Sequence, residues 1–229
     1  MTQLFKFLRE QRCLIIFDDV QELFIRGEFA GKYQSKYQDY KDFFQKLVEI
    51  EHQSSLILIS QEQCQEMLCL DEDLYPIKCL ELSGIENIDL KKYGLQNEEA
   101  WSKLINLYEG NPVYLKDVAS LIKNVFLGKV SEFLNEDSLI ITEDMKSRLS
   151  ELFHRLSPPE QKLILRLSKS NESMSRDNLR QDLEVSSIDL INGLQSLSKR
   201  YLLKRIEGDK ILFDLSPIVR EYVINCRID

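Results

Sequence analysis

The string Cys13-Leu14-Ile15-Ile16-Phe17-Asp18-Asp19-Val20 carries two adjacent carboxylates at the end of an apolar run. A run of this kind reads as a strand buried on both faces. A strand that ends in two carboxylates sets both at the carboxyl edge of a parallel sheet, where open α/β folds take their ligands. One such carboxylate can hold Mg²⁺, usually through water, and its neighbour can orient an attacking water. An ordinary strand leaving into an acidic turn accounts for the same string. A second run, Ser55–Ser60, continues into Gln61 and Glu62. Beside the first strand, its small polar exit stands where a side chain can read a terminal phosphate. A buried strand with a polar exit is again the plain alternative.

Other chemistry is thin. The sequence given holds no GxxxxGK followed by Ser or Thr, the loop whose amides and lysine cradle phosphates. The nearest string, Gly27 to Tyr33, is one residue short between its glycines and ends in Tyr, so it reads as a loop. His52 and His154 have no nucleophile and acid arranged around them and read as structural. Cys64, Cys69 and Cys79 lack the paired spacing of a zinc site. The five cysteines read as reduced thiols of a cytoplasmic protein. Lys199, Arg200, Lys204, Arg205 and Lys210 form a basic cluster that could meet DNA phosphates. The chain carries −8 overall, with −9 on residues 1–149 and +1 on residues 150–229. That balance argues against a general nucleic-acid or anionic-membrane binder and favours a solvated face for the cluster.

A chain of 229 residues allows one large domain or two small ones to hold these residues. Apolar residues make up 43%, enough for a core, and no run approaches the roughly 18–20 apolar residues of a membrane span. The N-terminal stretch has no signal-peptide pattern. Cys13–Phe17, Leu56–Ser60 and Ile77–Leu82 read as strands, with a helix over Tyr37–Glu51, so the front of the chain is α/β with a parallel sheet. Three strands are few for that class, and the sheet reads as incomplete. From Glu86 the pattern is helical. Gly110-Asn111-Pro112 stops one helix and starts the next, which runs on to Leu127, and another helix spans Thr142–Arg155. Ser157-Pro158-Pro159-Glu160 is a capping-box start. Helices over Ser175–Leu183 and Ser187–Lys199 follow, then a hairpin of Tyr201–Ile206 and Ile211–Leu215, then a helix from Pro217. That order is a winged-helix pattern.

Taken together, these pieces resemble the NB-ARC class of STAND signalling ATPases, especially bacterial members that carry WD repeats. Gly31–Glu62 resembles their linker and sensor segment. NLYEGNPVYLKDVASLI (Asn106–Ile122) resembles their GNPLAL-type segment, and Leu152–Ser168 and Phe213–Val223 resemble the start and end of their winged helix. The resemblance covers nearly the whole chain. It implies a partial parallel P-loop NTPase sheet from the Walker B strand onward over residues 1–84, a helical domain over 85–149 and a C-terminal winged helix over 150–229.

By position, the resemblance makes Asp18 the Walker B magnesium ligand and Asp19 the adjacent catalytic acid. Ser60 and Gln61 stand at the sensor, where the family commonly has Arg; a neutral Gln cannot replace that charged fork. Pro112 matches the proline beside the adenine, and Ser216 stands where the family's His touches the ADP phosphate. The implied cofactor is ADP or ATP with Mg²⁺, and the implied function is a nucleotide-dependent switch in signal transduction. The implied partners are a P-loop segment upstream, a WD-repeat or other sensor domain downstream, and further copies on activation, with no membrane. Without the phosphate loop, this chain alone is expected to be a poor ATPase. A non-catalytic interaction scaffold and a winged-helix DNA-binding regulator are the alternatives.

Overall fold

A computed structural model of the chain describes residues 2–64, 67, 77–136 and 138–226. In chain order the elements are α1 (Thr2–Glu10), β1 (Leu14–Phe17), α2 (Gln38–Glu49), β2 (Ser55–Leu58), α3 (Trp101–Leu107), α4 (Pro112–Val125), α5 (Val130–Phe133) and α6 (Glu143–His154). Then come α7 (Pro158–Ser168), β3 (Met174–Ser175), α8 (Arg176–Asp182), α9 (Ser187–Lys199), β4 (Leu203–Ile206), β5 (Leu212–Leu215) and α10 (Pro217–Glu221). The chain divides into two compact units that interleave in sequence. The first takes Met1–Leu80, Arg155–Glu160 and Ser186–Leu202. The second takes Glu81–His154, Gln161–Val185 and Leu203–Asp229.

In the first unit β1 and β2 pair in parallel, with Leu14 opposite Ser55 and Phe17 opposite Leu58. Ile15, Phe17, Leu56 and Leu58 point to one face, where they meet Phe5, Leu8, Phe43, Phe44 and Leu47 of α1 and α2. Phe17 stands edge-on to Phe44 at 5.4 Å between ring centroids, a favourable aromatic geometry. The opposite face is left open by the described residues: Leu14 is 61% exposed, Ile16 56%, Ile57 45% and Ile59 47%. The expectation of strands buried on both faces therefore holds for one face only. Ile77–Leu82, expected as a third strand, is not one. Its apolar residues are interrupted by Lys78 and Glu81, Leu80 and Leu82 are exposed, and among the described residues no strand pairs with the run.

The second unit joins helices to a three-stranded antiparallel sheet in the order β3-β5-β4. Asn111 caps α4 by accepting hydrogen bonds from the Val113 and Tyr114 amides, and Pro112 fills the first helical position, where its missing N–H costs nothing. Gly110 sits at φ 63°, and its carbonyl accepts from the Ile85 amide at 2.8 Å. A Cβ there would lie 2.4 Å from the Ile85 carbonyl oxygen, so only glycine fits. Tyr108 is fully buried and donates its hydroxyl to the Ile140 carbonyl at 2.8 Å. Burial raises its pKa well above the ordinary tyrosine value.

Candidate functional site

The two polar strand exits meet in the first unit. The Val20 amide donates to the Ile59 carbonyl at 3.0 Å, which extends the β1–β2 pairing past the strands and brings Asp18-Asp19 beside Ser60-Gln61. Asp19 lies in the left-handed region at φ 54° and ψ 43°, an uncommon setting that Asp tolerates better than most residues. Its amide donates to Asp18 Oδ1 at 2.9 Å. Asp18 and Asp19 are both solvent-exposed.

Gln21 ties the two exits together. It is 4% exposed and sits in the short 3₁₀ turn Val20–Leu23. Its Nε2 donates to Asp19 Oδ1 at 2.8 Å, and its Oε1 accepts from the Gln61 amide at 3.1 Å and from Ser60 Oγ at 3.4 Å. The partners fix the orientation of the amide, because a carboxylate only accepts and a backbone N–H only donates. The single Ser60 hydroxyl proton is shared with the Glu62 carbonyl, which is the nearer acceptor at 2.7 Å.

Behind this edge lies a chain of buried charges. Glu62, 2% exposed, accepts from Arg155 at 3.0 Å through one oxygen and from Arg200 through the other. Arg155 also donates to the Gln21 carbonyl and, at 2.8 Å, to Glu22. Arg200 continues to Glu160 at 2.9 Å and to the Glu28 carbonyl at 2.8 Å. Fully buried Glu160 closes the chain by accepting from the Ser157 amide and hydroxyl, each at 2.7 Å, and from Ser196 Oγ at 2.6 Å. Glu160 thus caps α7 as expected. The signs alternate along Arg155, Glu62, Arg200 and Glu160, which is the arrangement that lets buried charges be tolerated.

Arg200 is therefore no member of a solvated basic face; its guanidinium is consumed inside the first unit. Lys204 pairs with Glu109 at 2.6 Å in the second unit, and Lys210 lies 3.8 Å from Asp177. Glu62, Arg155 and Gln21 were not singled out from the sequence. Their partners lie up to 138 residues away, and no local spacing signals them.

Pro112 and Ser216 belong to the second unit, and each heads a helix. Ser216 caps α10 by accepting from the Val219 amide at 3.1 Å, so its hydroxyl already has a structural use. As for a metal, no group of three or more His, Cys, Asp or Glu among the described residues is placed to hold one. One exposed carboxylate at Asp18 fits instead the way Mg²⁺ is usually held, by one or two carboxylates with water and a ligand's phosphates.

The whole chain aligns with a stretch of an uncharacterized WD repeat-containing protein from the cyanobacterium Nostoc sp., 33% identical over 239 residues. The chain is similar to part of a WD repeat-containing protein. It spans only 19% of that relative's length, while 100% of this chain is aligned. No family model matches the chain. Among the described residues no helix is long and apolar enough to cross a membrane.

Proposed function

We propose that the chain is the nucleotide-sensing segment of a signalling switch, with ADP or ATP and Mg²⁺ meeting the Asp18-Asp19 and Ser60-Gln61 edge. The observation that carries this reading is the convergence of the two polar exits at the carboxyl edge of a parallel strand pair, where α/β folds bind ligands. Asp18 would face the magnesium ion through water, and Asp19 would orient water at the terminal phosphate. Gln61, being neutral, would sense that phosphate only weakly. A P-loop segment, WD repeats and further copies of the protein are the proposed partners in a cytoplasmic assembly. The similarity to part of a WD repeat-containing protein supports the association with such repeats. Alone, the chain binds nucleotide weakly and turns over little ATP, because the loop amides and lysine that stabilise phosphate charge are not in this sequence.

Amide chemical-shift mapping with Mg²⁺-ADP tests the reading even for weak binding. The expected result is movement at Asp18–Val20 and Ser60–Gln61 that Asp18→Asn removes. Movement only elsewhere, or unchanged by that substitution, contradicts it. A second reading, an interaction scaffold without nucleotide chemistry, is favoured by the exposed apolar face of Leu14, Ile16, Ile57 and Ile59. It predicts no shifts at the edge under any nucleotide.

A further inference from the structure

The buried charges lie behind the sheet edge rather than on it, and the contacts between edge and charges pass through very few atoms. Gln21 uses its side chain on Asp19, Ser60 and Gln61, and its backbone carbonyl on Arg155. Gln61 is followed directly by Glu62, whose carboxylate is shared between Arg155 and Arg200. The next residue is tied down too. The Gln63 amide donates to the Lys199 carbonyl at the end of α9 at 2.9 Å, and the Gln63 side chain donates to the Tyr201 hydroxyl at 2.7 Å. Arg200 and Ser196, on the same stretch, hold Glu160 at the start of α7.

We propose that Gln21 and Glu62 form a relay by which occupancy of the Asp18–Gln61 edge loosens or tightens the seating of α9 and the Arg155–Glu160 segment. This rests on the reading of that edge as a ligand site and supplies its regulation. Gln21 is a positioning residue: it acts on a ligand only through Asp19 and the Gln61 amide. A phosphate that accepts from the Gln61 amide must draw that single N–H from Gln21 Oε1. Buried Gln21 Oε1 then loses its backbone donor and the side chain re-seats, which shifts the Gln21 carbonyl away from Arg155. A half-made buried charge chain is costly, because each group left without a partner is desolvated for no return. That cost favours an all-or-none response of the relay, the kind of element that coupling between sites needs.

Amide hydrogen exchange on the full chain tests this with α2 as the internal control, since α2 belongs to the same unit and packs on the Phe17 and Leu58 side of the strands, while Glu62 is held by Arg155 and Arg200. Gln21→Met keeps side-chain length and removes the hydrogen bonds. It is expected to speed exchange across α9 by about tenfold with α2 unchanged. Equal acceleration of α2 and α9 means general loosening of the unit and overturns the proposal, as does unchanged exchange in α9. Coupling is reciprocal. Arg200→Lys, which keeps the charge but not the fork, is accordingly expected to speed exchange at Val20 and Gln61; protection unchanged there overturns the relay. Mg²⁺-ADP added to the unaltered chain separates the two claims. Binding at the edge with no change in α9 overturns the relay and leaves the nucleotide reading standing. No binding overturns the nucleotide reading, and the two variants still decide the relay.

Discussion

Arg200 in the first unit and Arg220 in the second each gather separated backbone segments around one guanidinium, on different terms. Arg200 is nearly buried and shares two carboxylates that are themselves buried, Glu62 and Glu160. Arg220 is partly exposed and gives its donors mainly to the carbonyls of Leu167, Ser168 and Ser170, with Asp214 as its charged partner among the described residues. A guanidinium on carbonyls is a local clamp that can be lost piecemeal. A guanidinium between buried carboxylates is part of a chain in which each charge needs its neighbours. The second arrangement is found directly behind the polar edge of the sheet, where a change at the edge has something discrete to act on.

The sharpest way to break this contrast is Glu62→Ala. It leaves Arg155 and Arg200 buried and facing each other, and the expected loss is about 3–5 kcal/mol, read as the shift in the denaturation midpoint of the first unit. A loss under about 1 kcal/mol, the range of an exposed pair, would show that the buried charges are not what seats α9. Arg220→Ala comes next. Freed carbonyls near the surface find water, so the expected cost is about 1–2 kcal/mol, confined to exchange rates in the second unit. A larger cost than that of Glu62→Ala would reverse the comparison.

The smallest effect concerns pH. Tyr108 in the second unit has its pKa raised above 10.0 by burial. Its folded-state stability is fully present below pH 10 and is lost as pH rises, because the unfolded state releases the proton first. Thermal unfolding of the second unit should therefore shift downward above about pH 10, and Tyr108→Phe should flatten that part of the profile. A profile identical in the two proteins would remove Tyr108 as the cause.

Much of the local structure was legible in the sequence. Asn111-Pro112 starts a helix where expected, Ser175 caps α8, and the Glu160 carboxylate holds the Ser157 amide. These signals work because cap and capped group lie within three residues. The pairing of β1 with β2 was legible too, because a short apolar run flanked by polar residues has few other uses. What covers a strand was not. The run at Leu14–Phe17 shows that both faces could be buried, not that both are, and Ile77–Leu82 looked like a strand only on the assumption of a neighbour. The edge residues Asp18, Asp19, Ser60 and Gln61 were found from their strand exits. The charges behind them were not, because Glu62 finds Arg155 and Arg200 at separations of 93 and 138 residues. A basic residue at a helix end reads as solvated until its partner is seen.

The most direct test of the central claim is calorimetric titration of the purified chain with ADP and Mg²⁺, beside Asp18→Asn. The account predicts weak association, roughly millimolar, that requires Mg²⁺ and disappears in the variant. Micromolar binding that survives Asp18→Asn, or no association at any Mg²⁺ concentration, would contradict it.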